Sequence, residues 1–176
     1  AAFRMGGGLF VISLLYGQIP LNLSPSRVVG HPQLAIVTQA PNLVEGREFN
    51  APQGVAVDEV NGVVYVADTG NHRVLAFADA QSFQNGAQSI LVLGQRDKLS
   101  TLPLGPGTSF TSGLAAPTGV AVDSQGNVYV ADAGNNRIVR YPRPTAQPAG
   151  EPILADFLIG QTSFSGSRAN QGGAAT

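Results

Sequence analysis

The chain contains no cysteine. That excludes disulfides, thiolate nucleophiles and Cys-ligated zinc together. Histidine is nearly as scarce: His31 and His72 are the only two, so a three-His zinc site cannot be assembled within one chain. Charged residues make up 12% of the sequence, against roughly 25% for an ordinary globular domain. The net charge is −1 and there is no basic run. A nucleic-acid surface needs clustered Lys and Arg to displace counterions, so that partner class is not expected. No apolar run approaches the about 20 residues that a membrane-spanning helix requires. Neither a Gly-x-Ser-x-Gly elbow nor a phosphate-binding loop is present, and no Asp-x-Asp-x-Asp spacing marks a calcium loop.

Turn formers are abundant instead: 22 Gly and 12 Pro. The hydrophobic fraction is 43%, enough for a packed core. A self-similarity then decides the architecture. Ala51-Pro-Gln-Gly-Val-Ala-Val-Asp58 recurs as Ala116-Pro-Thr-Gly-Val-Ala-Val-Asp123. Val63-Val-Tyr-Val-Ala-Asp68 recurs as Asn127-Val-Tyr-Val-Ala-Asp132. Gly70-Asn-His-Arg73 recurs as Gly134-Asn-Asn-Arg137, and Val74–Phe77 as Ile138–Tyr141. Pro52 and Pro117 are 65 residues apart, whereas Asp68 and Asp132 are 64 apart. The lost residue falls just after Asp58. A one-residue insertion within a strand would flip every later side chain, so the indel marks a hairpin loop.

Each copy reads as four short strands. The first is Gly54–Val57 or Gly119–Val122, the second Val63–Ala67 or Asn127–Ala131, and the third Val74–Phe77 or Ile138–Tyr141. The fourth lies within Ser89–Gln95 or Phe157–Gln161, ending on Gly94-Gln95 or Gly160-Gln161. Gly30 stands 64 residues before Gly94, in Arg27-Val-Val-Gly-His31, which suggests the fourth strand of an earlier unit. Four antiparallel strands per unit, with tight Gly turns, describe an all-β fold of β-propeller blades. The first strand of each copy is expected to be innermost, where Gly54, Ala56, Gly119 and Ala121 let backbones approach.

The motif Pro-x-Gly-Val-Ala-Val-Asp, then Val-Tyr-Val-Ala-Asp, then Gly-Asn-(His/Asn)-Arg-(Val/Ile), resembles the NHL-repeat β-propellers. The unit is longer than usual for that family. Long-repeat versions look like bacterial secreted NHL proteins, in which Gly-Gln after the fourth strand recurs. Two copies are too few for a closed ring, which takes about 4–8 blades, so the expected fold is an incomplete or open propeller. Residues 49–113 form one blade with a long fourth-strand extension, and residues 114–176 a second blade with a linker toward a further one. Residues 19–48 read as part of a preceding blade and its linker. Pro20, Pro25, Pro32 and Pro41 deny that segment a continuous helix. Residues 1–18 hold the apolar run Gly8–Tyr16 behind Arg4. They read either as a signal-peptide remnant or as a first strand.

The candidate site residues repeat. Asp68, Gly70, Asn71 and Arg73, with Asp132, Gly134, Asn135 and Arg137, are expected to form a network that locks the turn after the second strand. The sharper alternative is a polar ligand-binding rim, but catalytic groups rarely occur once per blade. Asp58 and Asp123 close the innermost strands. They are expected to cap their hairpins, or to line the central channel, where calcium is the one cofactor worth considering. His72 stands where the second copy has Asn136, a replaceable turn residue. Tyr65 and Tyr129 are expected to pack between blades. No catalytic or metal-ligating residue is assigned.

The expected function is non-enzymatic: a secreted or periplasmic scaffold whose loops bind a protein or carbohydrate partner. Self-association through unpaired blade faces is also expected. The alternative is part of a metal-dependent propeller enzyme, of the lyase or lactonase kind that the resemblance brings in, with its ligands on other blades.

Overall fold

The computed structural model describes residues 29–30, 44–79, 81, 84–105 and 113–173. The readings of residues 1–18 and of most of Arg27–His31 fall outside that set.

Two four-stranded antiparallel sheets make up the described chain. The first is β1 (Pro52–Val57), β2 (Val64–Asp68), β3 (Arg73–Phe77) and β4 (Leu91–Leu93), in that order across the sheet. The second is β5 (Pro117–Val122), β6 (Val128–Asp132), β7 (Arg137–Tyr141) and β8 (Phe157–Ile159). Short 3₁₀ turns at Thr69–Asn71 and Ala133–Asn135 join the second and third strands. Register is the same in both sheets: Val55 faces Val66 as Val120 faces Val130, and Val74 faces Leu93 as Ile138 faces Ile159. The fourth strands, three residues each, are shorter than the Ser89–Gln95 and Phe157–Gln161 stretches suggest. Each ends at a glycine in the left-handed region, Gly94 at φ 84° and Gly160 at φ 94°, which breaks the pleat.

The indel lies in the first hairpin loop. Gly62 N–H donates to the Asp58 carbonyl in the longer loop, and Gly126 N–H to the Asp123 carbonyl in the shorter one. β1 and β5 sit side by side. A Cβ on Gly54 would lie 2.8 Å from Gly119 Cα and 2.8 Å from the Thr118 carbonyl oxygen. This contact between the two inner strands is therefore closed to any side chain at Gly54.

Strand alternation gives each sheet two faces. One face of the first sheet, with Tyr65, Val74, Ala76 and Leu93, packs on Val128, Val130, Val139 and Tyr141 of the second. Leu114 and Ala155 complete that shared core. The opposite face of the first sheet, Val66, Leu75 and Phe77, is covered by Val29, Phe49 and Ala87. Phe49 meets Phe77 edge to face at 5.6 Å. Gly30 has φ 84°, as Gly94 does, and a Cβ on it would strike the Phe49 ring just as one on Gly94 would strike Leu114. The 64-residue spacing from Gly30 to Gly94 thus carries the same backbone conformation.

Candidate functional site

Asp68 ends β2 with both oxygens engaged. Oδ1 accepts the Asn50 N–H at 2.7 Å. Oδ2 accepts Asn71 Nδ2 at 2.9 Å and Arg73 Nε at 2.7 Å. Neither the Asp68 nor the Arg73 side chain reaches solvent. The second copy repeats the arrangement. Asp132 accepts the Ala115 N–H at 2.7 Å, Asn135 Nδ2 at 2.8 Å and Arg137 Nε at 2.7 Å. Each arginine then reaches a carbonyl of the linker after the fourth strand, Lys98 for Arg73 and Phe164 for Arg137. Arg137 also donates to the Gly113 carbonyl at 2.9 Å.

Charges taken out of water need this degree of satisfaction, because an unpaired buried ion costs several kcal/mol. One Asp–Arg pair thus ties together the approach to the first strand, the end of the second, the start of the third and the linker beyond the fourth. Gly70 and Gly134 contribute close approach, not left-handed backbone. Their N–H groups donate to the Asn50 and Ala115 carbonyls, and a Cβ at either would collide with those neighbours. The left-handed position is the next residue but one, His72 at φ 54° and Asn136 at φ 51°.

His72 does more than turn the chain. Its Nδ1 accepts the Ala116 N–H at 2.9 Å, and Thr69 Oγ1 donates to the Pro117 carbonyl at 2.6 Å. Both bonds cross from the turn of the first blade to the inner strand of the second. In the second blade the equivalent positions are Ala133 and Asn136, and Asn136 Nδ2 donates to the Ser167 carbonyl instead. Gln95 and Gln161 are functional in the architecture and carried no assigned role in the sequence reading. Gln95 Nε2 donates to the His72 and Leu102 carbonyls, and Gln161 Nε2 to those of Asn136 and Arg168. The recurrent Gly-Gln after the fourth strand was the available signal.

Asp58 and Asp123 both fold back on their hairpins. Asp58 accepts the Val60 and Asn61 N–H groups and Asn61 Nδ2. Asp123 accepts the Gln125 and Asn127 N–H groups and Asn127 Nδ2 at 2.8 Å. The Asn127 side-chain bond, foremost, holds the Asp123 carboxyl below the usual carboxylate range. The asparagine occupies different sequence positions in the two loops and does the same work. Among the described residues no group of His, Asp and Glu gathers as a metal site would.

The two tyrosines part company. Tyr65 is buried in the shared core. Desolvation, then the nearby Asp58 charge, pushes its hydroxyl up to about 12; Thr145 offsets part of the rise without closing a well-formed hydrogen bond. Tyr129 is half-exposed and donates to Asp123 Oδ2 at 3.3 Å. Beside it Arg140 makes a two-pronged bond to Asp156, at 2.9 and 2.8 Å, and lies 5.4 Å over the Phe157 ring. The Arg140 bond holds the Asp156 carboxyl below its ordinary range.

A cleft of about 570 Å³ opens between β4 and the β7–β8 connection. No helix among the described residues is long and apolar enough to cross a membrane.

Comparison with known proteins agrees with the repeat. The NHL-repeat pattern matches residues 49–77 and 114–141. No curated protein matches. Among solved structures, a luciferin-regenerating enzyme is similar at 19% identity and TM-score 0.45, over 65% of this chain and 31% of that one. A gluconolactonase from Xanthomonas campestris is similar at 18% identity and TM-score 0.35, over 61% and 28%. Regucalcin, a calcium-binding protein from Agrobacterium tumefaciens, is similar at 19% identity and TM-score 0.33, over 62% and 30%. The chain spans about a third of the length of these structures. Each of the two stretches that match the NHL repeat supplies the first three strands of one four-stranded antiparallel sheet.

Proposed function

We propose that the chain is a binding module that acts outside the cytoplasm, with its NHL blades as a rigid platform and its inter-strand loops and linkers as the contact surface for a protein partner. One observation carries the reading. The polar side chains that the two copies share, Asp68, Asn71, Arg73 and their counterparts, are engaged in holding the blade together. Exposed connections, such as 145–152, differ between the copies. Loops on a rigid scaffold are where binding residues concentrate. The apolar run Gly8–Tyr16 behind Arg4 supports export.

The test offers the immobilised chain three kinds of ligand: a random dodecapeptide display library, a panel of oligosaccharides, and simple sugar lactones with calcium in the buffer. Enrichment of peptides supports the module. Retention of oligosaccharides alone moves the partner to carbohydrate. Calcium-dependent lactone hydrolysis would overturn the reading in favour of an enzyme.

A further inference from the structure

One of the bonds between the two blades has a titratable ring as its acceptor. His72 is the only histidine among the described residues, and it is half-buried. It ends the 3₁₀ turn Thr69–Asn71 in the left-handed conformation, and its carbonyl accepts Gln95 Nε2 at 2.9 Å. The backbone under the ring is thus held from within the first blade. The ring itself crosses to the second, where Nδ1 accepts the Ala116 N–H at 2.9 Å. Among the described residues that N–H has no other acceptor.

We propose that His72 is a proton-sensitive fastener, which ties the first blade to the approach to β5 as the neutral imidazole and lets go when the ring takes up a proton. An imidazole nitrogen accepts a hydrogen bond only while it carries no proton. The bond to Ala116 therefore requires the neutral ring with its proton on Nε2. In the imidazolium both nitrogens are donors, and the Ala116 N–H would face another N–H. Histidine changes charge between about pH 5 and 8. The released junction binds one proton more than the fastened one, so the fastening strengthens as pH rises and weakens as pH falls.

The charged groups around the ring are already committed. On its own turn Asp68 pairs with Arg73 at 2.7 Å. On the linker after β4, Arg96 is exposed, Asp97 accepts the Leu99 and Ser100 N–H groups, and Lys98 donates to the Ser89 carbonyl. Beside the approach to β5, Asp132 accepts the Ala115 N–H and pairs with Arg137 at 2.7 Å. Among the described residues His72 itself is in no ion pair, so an imidazolium here has no carboxylate to offset the lost bond. The shared core and the bond from the Thr69 hydroxyl to the Pro117 carbonyl contain no group that titrates in this range. Acid would therefore free one end of the junction without separating the blades.

The second blade supplies the comparison. Its turn has Asn136 at the same place, at φ 51° against 54° for His72. An asparagine side-chain oxygen is attached to Cγ, as histidine Nδ1 is, and it accepts a hydrogen bond whatever the pH. His72→Asn should then keep the bond and lose its dependence on protons.

Hydrogen exchange of the full chain tests this, followed by NMR at pH 5 and pH 8 and corrected for the intrinsic pH dependence of exchange. Protection of the Ala116 amide in the parent should be about tenfold lower at pH 5, the equivalent of about one hydrogen bond. In His72→Asn it should be the same at both. The Gly134 amide, bonded to the Ala115 carbonyl at 2.8 Å, should hold its protection throughout and shows that the fold is kept. No fall in the parent, or an equal fall in His72→Asn, would overturn the proposal. The imidazole nitrogen shifts of the parent give a second reading that needs no variant. At pH 8 the His72 proton should be on Nε2, and a proton on Nδ1 would overturn the proposal as well.

Discussion

Leu93 and Ile159 occupy the same place in the two blades, opposite Val74 and Ile138. Leu93 is 1% exposed and Ile159 is 49% exposed. Around them, Val74, Ala76 and Tyr65 of the first blade are buried, whereas Ile138 and Phe157 of the second are open and Arg140 holds Asp156 at the rim. The strands, register and turns are alike. The difference is the neighbour: among the described residues, the first blade is covered on both faces and the second on one. A blade's strand pattern therefore fixes its shape, and the adjoining sheet decides how much that pattern contributes to stability.

The largest expected effect lies where the two blades are most alike. Asp68→Ala should cost about 3–5 kcal/mol, because it strands a buried guanidinium. Asp132→Ala should cost a similar amount, since Arg137 is equally enclosed. Urea titration of both variants checks this, and a mild effect in either would mean that the pair is not what closes the blade.

Burial should separate the fourth strands next. Leu93→Ala is expected to cost about 2–5 kcal/mol, while Ile159→Ala should stay within about 1 kcal/mol. The exposed face of the second blade also carries an expectation of self-association. Light scattering should give a lower mass for Ile159→Lys than for the parent chain at high concentration; equal masses would remove that face from any assembly.

The inner strands offer the narrowest contrast. Gly54→Ala drives a methyl into the neighbouring backbone and should cost about 1–3 kcal/mol. Gly119→Ala meets only Ala131 Cβ, at 3.4 Å. It should shift the melting temperature much less. Equal shifts would mean that the inner strands of the two blades are not in the close contact described.

Much of this was legible in the sequence. The repeat placed the eight strands found among the described residues to within a residue or two, and the single indel located the hairpin loop. Asp68 and Arg73 could be paired because both sat on one turn in both copies. Tyr65 and Tyr129 could not be told apart: identical local sequence gives one a buried hydroxyl and the other a carboxylate partner, since the environment comes from residues some 80 positions away, such as Thr145 beside Tyr65. Nor could His72 be read beyond its turn, because the Ala116 N–H that it accepts arrives from the next blade. The cleft was hidden for the same reason, as its two walls belong to different repeats.

The bonds from Thr69 and His72 to Pro117 and Ala116 also give the two copies an order. Were the blades exchanged, Ala133 and Asn136 would stand where that hydroxyl and imidazole are, and the hydroxyl link would vanish although every strand remained. Duplication made the units nearly interchangeable in shape. Two side chains at their junction set the order of the pair, so a circular permutation that reverses it should fold each blade and weaken the junction by the Thr69 link.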